Sequence, residues 1–208
     1  FESILISNIK KAFNDKKIDC NIDKEWGRIY IYTNKITSAI SILKKIFGII
    51  SFSPAVKTKS NISKISKKSL SFIKKNIKSE KSFAIRSNRA GNHDFSSKDV
   101  SIKVGSDIVN ALNLNVDLTN PDFELYIDTR QNYCYIFKKK YKGIGGMPVG
   151  SQNKLLCIVR SKKSILSSFY LLKRGCKVLY YIDENFNKKT VEIFLKNWFI
   201  EKNYLFYE

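Results

Sequence analysis

At 208 residues and 43% hydrophobic content, the chain can fill a sizeable core. No run of about eighteen uncharged apolar residues and no charged-then-apolar leader is readable in these residues, and cytoplasm is the expected location by default. The net charge of +20, from 38 Lys plus Arg against 18 Asp plus Glu, is the footprint of a polyanion binder, although a chain-wide bias toward Lys, with only six Arg, would give the same total.

The first segment alternates helix and strand signals. Leu5, Ile9, Ala12 and Phe13 mark one helical face, and RIYIYT from Arg28 to Thr33 reads as a strand. A second helix runs through Ile36, Ala39, Ile40, Leu43 and Ile46, followed by a strand in GIISFSP, Gly48 to Pro54. The order α-β-β-α-β is a ferredoxin-like unit without its first strand, and a start at Phe1 fits an N-terminal element lying upstream.

From Lys57 to Lys81 there are nine Lys and one acid, Glu80, interleaved with Ile62, Ile65, Leu70, Ile73 and Ile77. That spacing predicts a helix with an apolar stripe and a basic outer face carrying Lys67, Lys68, Lys74 and Lys75, for which a polyanion is the compensating partner. A strand Ser82 to Arg86 follows, then a polar, flexible loop to Ser96 with Arg89, Gly91, Asn92 and Phe95. Ser96 or Ser97 caps the next helix, whose inner face is Val100, Val104, Ile108 and Leu112. Its N-terminal turn, with Ser97 and Lys98, offers amides to an anion. After the turn Asn120-Pro121-Asp122, strands Phe123 to Thr129 and Tyr133 to Lys138 form a hairpin with Gln131-Asn132 at its tip. Arg130 lies beside the tip, and Lys138, Lys139, Lys140 and Lys142 extend the basic surface. Phosphate is the expected ligand of this region, and replacing Arg86 and Arg89 is expected to weaken binding more than neutralising two helix lysines.

Cys20, Cys134, Cys157 and Cys176 form no CxxC pair and the chain has one histidine, His93, so no metal site is expected and each thiol reads as a small core hydrophobe. GIGGMPVGSQ, Gly143 to Gln152, reads as a linker. The remainder reads as β-α-β-α-β, with Trp198, Phe199, Tyr204, Phe206 and Tyr207 as packing residues.

These motifs carry a family resemblance. RIYIYT with FGIISFSPA, FAIRSNRAGNHDFSS with VDLTNPDFELYIDTR, and GGMPVGSQNKLL resemble, in that order, the ThiI family of tRNA 4-thiouridine synthetases. The resemblance implies a ferredoxin-like domain (1–58), a THUMP RNA-binding domain (59–142), a linker (143–152) and a partial, Rossmann-like PP-loop domain (153–208): α+β, then α/β. It further implies binding to the acceptor end of tRNA, and the family's dimerisation suggests a homodimer. Where the family has a pyrophosphate loop SGGxDS, counting back from Lys173-Arg174-Gly175 gives Val159 followed by Arg160, Ser161, Lys162, Lys163 and Ser164, of which only Ser164 matches. That loop is read as degenerate, with no catalytic residue assigned, and ATP with Mg is expected only if the altered loop still works. Arg160, Lys162 and Lys163 could instead contact RNA phosphate. Three readings follow: a non-catalytic tRNA-binding protein that serves a separate sulfur-transfer enzyme; an active tRNA sulfurtransferase; or a structural protein on RNA or the ribosome.

Overall fold

The computed structural model describes residues 1–25 and 27–200, together with the backbone of Tyr204–Phe206. The chain divides into two compact units, Phe1–Phe52 with Tyr141–Glu208, and Ser53–Lys140.

The first unit opens with α1 (Glu2–Asp15), whose buried face Leu5, Ile9, Ala12 and Phe13 is the one its 3.6-residue periodicity predicts. An antiparallel hairpin of β1 (Asn21–Glu25) and β2 (Arg28–Tyr32) follows, then α2 (Ile36–Leu43) and the short β3 (Ser51–Phe52). This is the expected α-β-β-α-β order. Of the predicted face of α2, Ala39, Leu43 and Ile46 are buried and Ile40 is half-buried, Ile36 is exposed, and Ile42 is buried in addition. Thr37, Ser38 and Ser41 share the opposite side of the helix, and Ile36 is exposed because it stands in the first turn.

The second unit contains β4 (Val56–Lys59), α3 (Ile62–Asn76), β5 (Ser82–Arg89), α4 (Ser97–Leu112), β6 (Asn115–Val116), β7 (Phe123–Thr129) and β8 (Tyr133–Phe137). Its five strands lie in the order β4-β8-β7-β5-β6. β5 runs parallel to β7, while β8 is antiparallel to both β7 and β4. Phe83, Leu125, Ile127, Cys134 and Ile136 on one sheet face pack with Ile65 and Ile73 of α3 and Val100, Val104 and Ile108 of α4. At about 25 cal/mol per Å² of apolar area removed from water, each such side chain contributes roughly 1.5–3 kcal/mol.

The chain then returns to the first unit. β9 (Tyr141–Lys142) pairs antiparallel with β3. The segment Gly143–Gln152, expected as a linker, is instead bonded along its length: Gly143 N donates to Ile50 O at 2.9 Å, Gly145 N to Ile49 O at 2.8 Å, Met147 N to Lys173 O at 2.9 Å and Gly150 N to Gly175 O at 2.8 Å. Its glycines permit this contact, since a Cβ on Gly143 would collide with the Ile49 carbonyl. β10 (Lys154–Val159), α5 (Lys162–Lys173), β11 (Lys177–Ile182), α6 (Lys188–Asn197) and β12 (Tyr204–Phe206) complete the unit, with a parallel sheet ordered β10-β11-β12. Trp198 packs with Phe47 and Phe169 at ring separations of 5.5 and 5.1 Å, as the packing reading expects; the side chains of Tyr204, Phe206 and Tyr207 lie outside the described residues. Among the described residues no helix is long and apolar enough to cross a membrane.

Candidate nucleic-acid interface

In the second unit, β5 and β7 end together, so the segment after Arg89 and the β7–β8 hairpin tip emerge side by side. β5 is three residues longer than expected, because its pairing with β7 continues to Arg89↔Thr129 and Ala90 N then donates to Thr129 O at 2.9 Å. The loop that follows is pinned. The Gln131 side-chain amide accepts from Asn92 N at 2.8 Å and donates to Asn92 O at 3.2 Å, clasping the loop to the hairpin tip. Gly91 makes the approach possible: its φ is +103°, and a Cβ there would lie 2.5 Å from Gln131 Oε1. Arg89 Nη1 donates to Gly91 O at 3.0 Å. His93 and Phe95 stack at 5.1 Å, with His93 Nε2 buried and unpaired.

Both helices start at this end of the sheet. Ser96 caps α4 in a full capping box with Asp99, whose carboxyl is held below its ordinary value by hydrogen bonds from the Ser96 backbone and hydroxyl. Asn61 caps α3 by accepting from Lys64 N at 3.1 Å. Ser60 ties that start to the hairpin, donating from N to Asn132 O at 3.1 Å and from Oγ to Arg130 O at 2.5 Å. Two helix N-termini, each with partial positive charge, therefore adjoin the hairpin tip and the clasped loop. Arg89, Asn92, Phe95, Ser97, Lys98 and Arg130 gather here, with Lys67 and Lys68 exposed on the middle of α3. The Arg130 guanidinium pairs with Asp128, with Nη2 2.9 Å from Oδ2 and both side chains half-buried.

The remaining predicted residues lie elsewhere. Arg86 sits within β5, its Nε 2.9 Å from Glu124 Oε1 and its Nη2 donating to Leu118 O at 2.9 Å. Glu124 also accepts from Tyr126 OH at 2.6 Å. That bond, then the Arg86 contact, holds the Glu124 carboxyl below its ordinary value, while the same carboxylate raises the Tyr126 phenol. Lys74 and Lys75 occupy the last turn of α3, about 20 Å along the helix from Asn61. Lys138 and Lys140 follow β8, whose far end faces away from the tip; Lys140 Nζ lies 4.6 Å from the Tyr126 ring centroid. The basic residues thus form two groups at opposite ends of the sheet. Gln131 as a clasp and Ser60 as an anchor were not predicted as site residues; both act through backbone groups distant in sequence, which leaves no local signal.

In the first unit, the strand-to-helix connection after β10 is short. Arg160 and Ser161 join Val159 to Lys162, and Ser161 makes no side-chain cap bond. Arg160 N donates to Ser164 Oγ at 3.4 Å, and Arg160 Nε lies 3.7 Å from Asp183 Oδ2 at the end of β11. Lys162 and Lys163 are exposed. Burial raises the Cys157 thiol and pushes Cys134 up to about 11, in keeping with core roles; Cys20, also raised by burial, and Cys176 are half-buried. Among the described residues no three His, Cys, Asp or Glu side chains gather as metal ligands.

Comparison with known proteins gives a consistent family. Residues 1–53 match the ThiI ferredoxin-like domain and residues 59–138 the THUMP domain. The protein PH1313 of Pyrococcus horikoshii Ot3 has a crystal structure that superposes with a TM-score of 0.89 and 30% identity, over 100% of this chain and 72% of that one. The chain belongs to the ThiI family. A ThiI-family relative named probable tRNA sulfurtransferase, from Methanobrevibacter smithii, is 36% identical over 185 residues, covering 86% of this chain and 47% of its own length. This chain therefore spans about half of that relative. A 4-thiouridine synthetase crystallised with RNA and bound ATP shares the fold, with a TM-score of 0.81 over 95% of this chain and 54% of that one at 24% identity.

Proposed function

We propose that the chain binds tRNA through the THUMP end formed by the clasped loop, the hairpin tip and the two helix N-termini, and that it does not itself carry out ATP-dependent sulfur transfer. The observation that carries the reading is the Gln131 clasp, which pins Asn92 and the loop that follows Arg89 next to the capped start of α4, where Lys98 lies, an arrangement suited to phosphate. The name of the Methanobrevibacter relative supports tRNA as the nucleic acid. Recognition at this end would rest on the shape and phosphates of an RNA terminus. The 160–164 connection fits ATP poorly: it has no glycine to admit phosphates to the backbone, and Arg160 turns toward the acid at the end of β11.

The test is a gel shift with an unmodified tRNA transcript at several salt concentrations, beside equilibrium dialysis with labelled ATP, with and without tRNA. Arg89→Ala should weaken tRNA binding and reduce the salt slope by about one, whereas Arg86→Ala, which breaks the Glu124 pair, should lower stability and leave the slope. Lys67→Gln with Lys68→Gln should weaken binding more than Lys74→Gln with Lys75→Gln. Equal losses would replace the defined end with diffuse electrostatic binding, and ATP binding stimulated by tRNA would restore the active sulfurtransferase reading.

A further inference from the structure

The first unit holds two apolar cores, one gathering α1 and α2, the other lying between the parallel sheet and its helices α5 and α6. Two chain segments send neighbouring side chains into both: Ile46 and Phe199 pack into the first core, Phe47, Trp198 and Ile200 into the second. Where the cores meet, the packing leaves a cavity of about 280 Å³, bordered by α1, the glycine-rich segment, the start of β11 and the chain after α6. That is close to the lower bound of ordinary small-molecule sites. It lies at the opposite end of the parallel strands from the 160–164 connection, roughly 17 Å away along β11, so it is not the end at which a doubly wound sheet presents strand C-termini to a nucleotide.

The wall has two kinds of surface. Phe47 and Trp198 stand 5.5 Å apart and both pack on Phe169, at 5.5 and 5.1 Å, which makes one side rigid and aromatic. Lys11 and Lys177 line it from different elements, and among the described residues no Asp or Glu does. Asn8, three residues before Lys11 on α1, donates from Nδ2 to Val149 O at 3.0 Å and so fixes that helix against the glycine-rich segment. Gly150 has φ +95°, and a Cβ there would lie 2.9 Å from Lys177 Cε, so the absent side chain makes room for the lysine stem. The chain after α6 adds strain at the same place. Phe199 N donates to Lys196 O at 3.4 Å and Ile200 N to Leu195 O at 3.0 Å, a helix ending whose turning residue must be left-handed and is usually glycine or asparagine. Asn113 turns α4 in this way, but the residue after α6 is Phe199, at φ +55°, and its ring lines the cavity. A bulky residue held in that conformation is characteristic of ligand clamps.

We propose that this cavity binds a small aromatic anion, its ring packed on Phe47, Trp198 and Phe199 and its carboxylate or phosphate met by Lys11 and Lys177. A neutral apolar ligand would desolvate the ammonium groups without compensation, and an anion with no ring would leave the aromatic side wet. Occupancy ties α1 to β11 and thereby stabilises the unit.

The experiment titrates the 208-residue chain calorimetrically with 2-naphthoate and with phenyl phosphate, beside 2-naphthylmethylamine as the cationic counterpart and inorganic phosphate as the ringless one. Saturable one-site binding of at least one aromatic anion, at least about tenfold tighter than either counterpart, with a higher thermal midpoint at saturation, is the expected result. The comparison of the two anions decides between carboxylate and phosphate. Lys177→Gln, which removes one charge, and Ser7→Trp, which fills the mouth from an exposed position on α1, should each keep the parent midpoint and weaken binding by about tenfold. No saturable binding of either aromatic anion overturns the proposal. So does equal binding of the amine, or an affinity unchanged in both variants, which would put the probe elsewhere. The tRNA gel shift is a separate readout, so failure here leaves the tRNA-binding reading standing, and the reverse holds.

Discussion

Gln131 has two tasks in one side chain, accepting from Asn92 N and donating to Asn92 O, so its removal releases the loop without opening the core. Gln131→Ala should leave the thermal midpoint close to that of the parent, as exposed substitutions usually change stability by no more than about 0.5 kcal/mol, yet weaken tRNA binding several-fold in a filter assay. Gly91→Ala should do both: the positive φ and the displaced Gln131 amide cost about 1–3 kcal/mol, and binding falls as well. Glu124 supplies a pH signature. Its carboxyl is depressed by the Tyr126 hydrogen bond and the Arg86 pair, so its contribution is present above the unfolded value of about 4.3 and is lost as pH falls through the folded value. Thermal midpoints from pH 3 to 7 should therefore fall less steeply on the acid side for Glu124→Gln. Because the Glu124 side chain is 36% exposed, added salt should narrow that difference.

α3 shows what periodicity conveys and where it stops. The apolar stripe Ile62, Ile65 and Ile73 is readable at helical spacing, but two of the four buried positions are serines, Ser66 and Ser69. Ser66 Oγ donates to Asp107 of α4, whereas Ser69 Oγ is buried without a partner. Ser69→Ala should consequently raise stability by up to about 1 kcal/mol, and Ser66→Ala should lower it by roughly 1–3 kcal/mol, as chemical denaturation would measure. The capping box of α4 was legible in SSKD because its partners are three residues apart. The hairpin tip at Gln131-Asn132 was legible for a similar reason, lying between the alternating strand FELYIDT and the apolar run YCYIF. By contrast, the extension of β5 to Arg89 and the clasp depend on a strand and a hairpin about forty residues downstream, and no local pattern encodes such partners. The Gly143–Gln152 segment misleads in the opposite sense: glycines suggest freedom, but here they serve close backbone contact.

Across the whole molecule, the order of the helices and longer strands and the two kinds of sheet were visible in the sequence, while the short strands β4, β6 and β9, and the grouping of basic residues at opposite ends of the THUMP sheet, were not, since they follow from strand pairing and direction. Each unit carries its own buried thiol, Cys157 in the first and Cys134 in the second, and burial keeps both protonated at neutral pH. Iodoacetamide labelling across a urea series, read by mass spectrometry, should modify each only as its own unit opens. Ser69→Ala should shift the labelling of Cys134 to higher urea and leave that of Cys157 in place. The pairing of β3 with β9 has a further consequence during synthesis. Phe52 meets Tyr141 only after all of Ser53–Lys140 has left the ribosome, on the order of ten seconds at usual elongation rates. During that interval the nascent N-terminal portion lacks its closing ladder, so the inserted THUMP unit can complete folding first, and a translational pause within it would prolong the exposure of the unfinished unit to chaperones and proteases.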